Sequence, residues 1–283
     1  FSEHWKPRRF VSGFTGSVGT FVITETASGL WVDGRYYVQA ERQIADSEAV
    51  LFRASEPDCP TFTQYLHDEL PENSVIGLNG KLFSVQAMND MKELFEDKNI
   101  TVAIDKDYGN DIWEDRPEEE YTPAYYLDEK YCGKSAAQKI AEVREALAED
   151  GCDALVVGRL DNTNWLFNVR AKDIPNSPIA ISYGFISKDS AVLFTALSRL
   201  SDEAKQILVK NGVTVKEYEE IYSYLETLDK QAVVLCDENE VNYMLYNAMQ
   251  NNHHIMLVPG VSPIPMMKAV KNETEIANTY TAY

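Results

Sequence analysis

Two neighbouring stretches concentrate the residues that could do chemistry. "SGFTGSVGT", residues 12–20, places glycines at 13, 16 and 19. "SGLWVDGRYYVQAERQI", residues 28–44, follows with an acid, an arginine, two tyrosines and a Gln-Ala-Glu run. The first has the spacing G-x-x-G-x-x-G. A dinucleotide site needs G-x-G-x-x-G opening a helix, and a phosphate loop needs Gly-Lys-Ser or Gly-Lys-Thr. Neither is present, and a strand pattern follows Gly19. The glycines are therefore read as a structured turn that permits close backbone approach. In the second stretch Asp33 sits at a strand end and is placed to cap a helix starting near Arg35, with Gly34 in the turn. Tyr36, Ala40 and Ile44 fall on the core face, and Glu41 and Arg42 on the water face. Arg35 at a helix start opposes the helix dipole. Such a residue either pairs with a carboxylate of its own fold or serves a partner outside it.

Other candidates are weaker. "NWLFNVRAKDIPNSP", residues 164–178, mixes core aromatics Trp165 and Phe167 with Arg170, Lys172 and Asp173, which read as an extended edge loop held open by two X-Pro steps. The histidines are His4, His67, His253 and His254, with no HExxH and no Cys/His pair at ligand spacing. The adjacent pair His253–His254 reads as a strand start, whose side chains would point to opposite faces. There is no Ser-His-Asp set and no nucleophile elbow. Residue chemistry alone assigns this chain no catalytic apparatus, cofactor site or metal site.

The whole chain narrows the classes further. Its 283 residues suggest two domains. The formal net charge of −19 offers no basic patch for nucleic acid and disfavours anionic membrane surfaces. No apolar run approaches the roughly 20 residues of a membrane span. Cys59, Cys132, Cys152 and Cys236 have no CxxC spacing and read as free thiols in a reducing, cytoplasmic compartment. "EDRPEEE", 114–120, reads as a solvated linker.

The elements that must position these residues occur twice. In the second half a helix is predicted over 135–151, with Ser135 as N-cap and Ile140, Val143 and Leu147 on one face. Then come strands at 153–157, 178–187 and 191–195, and a helix at 201–211. A strand at 213–217, a helix at 221–228 and a strand at 232–236 follow. A helix from Asn239 to Gln250 and a strand at 254–258 complete the order. The first half repeats it from the second strand onward: strands at 19–24 and 29–33, a helix at 35–44, a strand at 49–53, a helix at 61–69, a strand at 74–78, a Ser84-capped helix to Phe95 and a strand at 101–104. The pattern predicts two tandem α/β domains, each a mixed, mostly parallel sheet flanked by helices. The expected boundaries are 1–124 for the first, lacking its leading helix and strand, and 125–264 for the second with its linker. Residues 265–283 carry a capping box at Asn272 and Glu275, and read as the start of a further domain.

Together, "SGFTGSVGT…GLWVDGRYYVQAERQI", "NWLFNVRAKDIP" and "VSPIPMMKAVKNETEI" resemble the two creatinase-type N-terminal domains of three-domain Xaa-Pro aminopeptidases (aminopeptidase P). The resemblance implies a further "pita-bread" catalytic domain holding two divalent metal ions, usually manganese, through two Asp, one His and two Glu. That domain removes an N-terminal residue preceding proline. The resemblance also implies a homodimer in which the first domain reaches toward the neighbouring subunit's peptide channel, making Phe14, Thr15, Arg35 and Tyr36 channel candidates. None of the matched positions is catalytic or metal-ligating, so the isolated chain is expected to be inactive. An adapter with a degenerate catalytic domain, or a relative of the creatine amidinohydrolases, would share the N-terminal fold. Val18, Val32 and Ala171 depart from the residues common at those positions (Ala, Thr and Gly), which bears on the loops near 13–19 and 168–173.

Overall fold

The computed structural model describes residues 2–282. The described residues form two compact units, one of 2–79 and 88–119, the other of 80–87 and 120–282.

In the second unit the leading helix forms as its periodicity predicts. Its elements are β6 (Tyr125–Tyr126), α6 (Glu129–Cys132), α7 (Ala136–Glu149), β7 (Ala154–Val157), α8 (Leu160–Leu166), β8 (Val169–Arg170), β9 (Tyr183–Ser187), β10 (Ala191–Phe194), α9 (Asp202–Lys210), β11 (Thr214–Lys216), α10 (Glu220–Glu226), β12 (Ala232–Cys236), α11 (Tyr243–Gln250), β13 (Ile255–Pro259), α12 (Ile264–Ala269) and α13 (Glu273–Ala282). Ser135 and Gln138 close a capping box at the start of α7. Six strands make one sheet in the order β11-β10-β9-β7-β12-β13. Only β9 runs against the rest. Successive residues feed opposite faces. Leu155, Val157, Ile186, Leu193 and Leu235 pack with Ile140, Val143 and Leu147 of α7 and with α8 and α9. Ala154, Val156, Phe185, Phe194 and Val234 pack with Ile221 and Leu225 of α10 and with α11. The strands read as continuous apolar runs because both faces are covered. Each fully buried aliphatic side chain contributes about 1.5–3 kcal/mol.

The first unit holds α1 (Pro7–Ser12), β1 (Thr20–Ile23), β2 (Ser28–Val32), α2 (Tyr37–Gln43), β3 (Val50–Arg53), α3 (Phe62–Glu69), β4 (Val75–Gly77), β5 (Thr101–Ala103), α5 (Tyr108–Ile112) and most of α4 (Val85–Phe95). The pairings β1–β2 antiparallel, β2–β3 parallel and β4–β5 parallel match β9–β10, β10–β11 and β12–β13 one for one. Among the described residues nothing corresponds to α7 and β7. In the second unit β7 joins β9 to β12. The first unit's strands accordingly form two separate sheets, β1-β2-β3 and β4-β5. Its core around Phe14, Leu30, Val32, Ala40 and Ile44 is small, and Ile23 and Val75 are 62% and 68% exposed.

Several expectations change in detail. Residues 80–87, expected in the first domain, belong to the second unit. Val85 N–H donates to Val241 O, Gln86 N–H to Glu238 O, and Tyr243 N–H to Phe83 O. The predicted strand 178–187 begins only at Tyr183. Ahead of it, the side chains of Asn164 and Asp173 accept from Ala180 N–H and Ile181 N–H, replacing ladder bonds. Asn242, not Asn239, caps α11, accepting from Leu245 N–H. α12 packs on α8, and α13 packs on α6 through Asn278 and through Asn272, whose side chain donates to Cys132 O. The capping box of Asn272 and Glu275 forms as expected. The sequence pattern missed α1, α5, β6, α6, β8 and α12, all short.

Candidate functional site

The 13–19 loop is built by its own sequence. Gly13, at φ 71°, ends α1 in the left-handed region. Phe14 then turns into the core and is wholly buried. A Cβ on Gly16 would lie 2.2 Å from the Phe14 ring, so only glycine fits over it. Arg8 of α1 fastens the loop from beneath, donating to the carbonyls of Gly19 (2.6 Å) and Gly16. On the outer side α2 supplies two amides. Gln39 and Gln43 each donate to Thr15 Oγ1 at 2.9 Å, and Gln43 Oε1 accepts Thr15 N–H at 3.0 Å. Ser17 Oγ and Tyr36 OH lie 2.6 Å apart.

The structure brings the four candidate residues together. Tyr36 stands edge-on to Phe14 at 5.8 Å between ring centroids, and the Arg35 guanidinium lies 5.3 Å from the Tyr36 ring. Thr15 is exposed beside them, while Phe14 supports the group from the core and does not reach the surface. Arg35 pairs internally: Nε donates to Asp33 Oδ1 at 2.9 Å and Nη2 to Asp33 Oδ2 at 2.7 Å. This contact holds Asp33 below the ordinary carboxylate range and raises Arg35. The Arg35 side chain is nonetheless 67% exposed. Asp33 does not cap α2, as the sequence suggested. Its side chain accepts Arg35 N–H in a turn, and the helix starts after Tyr36. Arg35 thus precedes the helix and escapes most of the unfavourable dipole. Arg8, Ser17, Gln39 and Gln43 were not singled out from sequence. The spacing of the two glutamines, one helical turn apart on one face, was the available signal.

The arrangement offers an exposed cation, hydroxyls and amides, with no nucleophile beside a base. Elsewhere, Asp173 lies in a loop, as expected, but is buried there and ion-paired with Arg199 at 2.5 Å. His253 and His254 precede β13 in a turn and lie 4.0 Å apart, not on opposite faces. Among the described residues no three His, Cys, Asp or Glu side chains converge on a metal-binding group. Burial raises the thiols of Cys59 and Cys152, and pushes Cys236 up to about 12, so these three stay protonated and unreactive at neutral pH. No described helix is long and apolar enough to cross a membrane.

Two families described as the creatinase/prolidase N-terminal domain match this chain, one over residues 5–106 and the other over 115–275. The chain belongs to the creatinase/prolidase N-terminal domain family. It carries the domain twice, as the paired strand orders require. Similar proteins include Xaa-Pro aminopeptidase 1 of Dictyostelium discoideum, 32% identical over 98% of this chain and 45% of its own length. A probable Xaa-Pro aminopeptidase P of Sordaria macrospora is 34% identical over 95% of the chain and 45% of its own length. The X-prolyl aminopeptidase of Caenorhabditis elegans, described as a cytosolic enzyme with a di-nuclear active site, superimposes with a TM-score of 0.90 at 28% identity. That match covers 98% of this chain and 46% of the other. The chain spans about half the length of these relatives.

Proposed function

We propose that this chain is the non-catalytic N-terminal region of a cytoplasmic Xaa-Pro aminopeptidase, an enzyme that removes the residue preceding proline. The observation that carries the reading is the match of both creatinase-type domains, over 98% of the chain, to an X-prolyl aminopeptidase. In this reading residues 265–283 lead into a catalytic domain with two divalent ions, manganese by the family's habit, and the enzyme works as a homodimer. The described residues do not fit such a metal centre, so its chemistry falls to that further domain.

The role assigned to this region is to border the peptide channel with Thr15, Arg35 and Tyr36, underpinned by Phe14. Arg35 supports the assignment because it is exposed and because Asp33 engages only Nε and Nη2. A peptide carboxylate can accept from the remaining guanidinium donors, the geometry arginine matches best. The test is Arg35→Ala in the complete enzyme. The expected result is a raised KM for short peptides, with kcat and the melting temperature little changed. An earlier melt at unchanged KM would assign Arg35 to the internal pair alone.

A further inference from the structure

In the first unit His67, on α3, lies between two carboxylates. Nδ1 is 3.1 Å from Asp68 Oδ1, and Nε2 is 3.0 Å and 3.2 Å from the two oxygens of Asp97. A carboxylate only accepts, and a neutral imidazole carries one N–H. One of the two contacts would then set a lone pair against an anion. Both are satisfied only by the imidazolium, which donates from each nitrogen. The His67 side chain is 17% exposed, shielded enough for these contacts to matter.

The contacts span two elements. Asp68 belongs to α3; Asp97 belongs to the short 3-10 turn Glu96–Lys98 that follows α4. Beside the ring, Lys98 Nζ donates to His67 O at 2.5 Å and Leu70 O at 3.0 Å, satisfying carbonyls at the end of α3. The same joint opens the β4–β5 pair: Asn73 N–H donates to Lys98 O, Asn99 Nδ2 to Asn73 Oδ1, and Thr101 N–H to Ser74 O. β4 and β5 pair with each other, and this corner is where both begin beside the end of α3.

We propose that protonated His67 is a clamp that fastens the end of α3 to the 96–98 turn, and that deprotonation releases the corner from which β4 and β5 start. The charged groups facing the ring are Asp68, Asp97 and Lys98. Hydrogen bonds from His67 to Asp68 and Asp97 raise the histidine above its ordinary value, against burial and Lys98. Asp68 is lowered in turn, chiefly by its bond to His67. The raised group stabilises the folded corner fully below the unfolded histidine value of about 6.5, and loses that contribution as pH rises through the folded value.

The experiment follows the imidazole resonances of His67 against pH in the 283-residue chain, with local hydrogen exchange of residues 67–74 and 98–103 measured across the same range. His67 is expected to titrate above free histidine, and local opening, corrected for intrinsic exchange, to increase several-fold above that midpoint. His67→Gln should flatten the pH dependence, and Asp97→Asn, at an exposed carboxylate, should lower the midpoint in an otherwise folded chain. A His67 midpoint at or below that of free histidine, or the same pH dependence of opening in His67→Gln, overturns the clamp. If His67→Gln does not fold, an unshifted midpoint in Asp97→Asn overturns it equally.

Discussion

Asp173→Ala should be among the most damaging single changes in the second unit. The Asp173 carboxylate is 1% exposed and accepts four donors: Arg199 Nη2 at 2.5 Å, Thr122 Oγ1 at 2.7 Å, Ile181 N–H at 2.8 Å and Thr122 N–H at 3.0 Å. Burial alone would raise its pKa, but the bonds from Arg199, Ile181 and Thr122 outweigh burial and hold it low. Removing it leaves a guanidinium whose side chain is fully buried, with Thr122 O as its hydrogen-bond acceptor and with Nη1 already unpartnered. Breaking a buried ion pair from one side costs about 3–5 kcal/mol. Summing the four lost bonds would give more, but the 120–124 segment can relax and admit water, so about 4 kcal/mol is the expected loss. At roughly 2–4 °C per kcal/mol for a unit of this size, the second unit's transition falls by about 8–16 °C. Arg199→Met should be milder, because the carboxylate keeps three donors. The double variant Asp173→Ala/Arg199→Met should lose well under the sum of the two single losses, by a coupling near 2 kcal/mol. Calorimetry resolves the unit's transition, and hydrogen exchange at 120–124 reports the local release. The depressed carboxyl adds a pH signature: its contribution is present above about pH 3.9 and is lost as pH falls through the folded value. A loss below about 1 kcal/mol for Asp173→Ala, or strict additivity in the double variant, refutes the reasoning.

Two further outcomes follow from single contacts. Gly16→Ala drives a methyl into the Phe14 ring and should destabilise the first unit by about 1–3 kcal/mol in urea titrations; Phe14→Leu in the same chain should relieve part of that penalty. Lys139 is wholly buried, with Nζ donating to Trp165 O and Asn168 Oδ1, and burial lowers its pKa to about 8. The unfolded lysine holds its proton to about 10.4, so the second unit should gain stability as pH rises from 8 toward 10, and Lys139→Met should abolish that slope in thermal melts.

The duplication was legible because it rests on local signals. Runs such as "ALVV" and "AVVLC", and caps such as Ser135, declare themselves within a few residues. What stayed hidden depends on distant partners. The loop 178–182 reads as strand until Asn164 and Asp173 take its backbone donors. Asp173 reads as an edge-loop residue, and its burial becomes visible only when Arg199, 26 positions later, meets it. Residues 80–87 follow the first unit in sequence yet pair with Val241 and Tyr243. At the candidate site Thr15, Arg35 and Tyr36 were grouped through the family resemblance. The Arg8 hold on the loop carbonyls was not, since no spacing rule links a side chain to a backbone oxygen.

The two short sheets of the first unit also bear on how the 283-residue chain behaves by itself in solution. β1 and β4 each leave one row of amides and carbonyls without a strand partner among the described residues. Neither "TFVI" nor "VIG" carries a charge or a proline, the devices that usually keep bare strand edges from adding another chain. Ile23 and Val75 put apolar surface beside those rows. The second unit buries the equivalent edges against its own central strand. In a concentrated solution of the 283-residue chain taken by itself, copies can add to one another at these edges, and the net charge of −19 opposes that approach. Added salt screens that repulsion over about 10 Å at 0.1 M and leaves the edges adhesive.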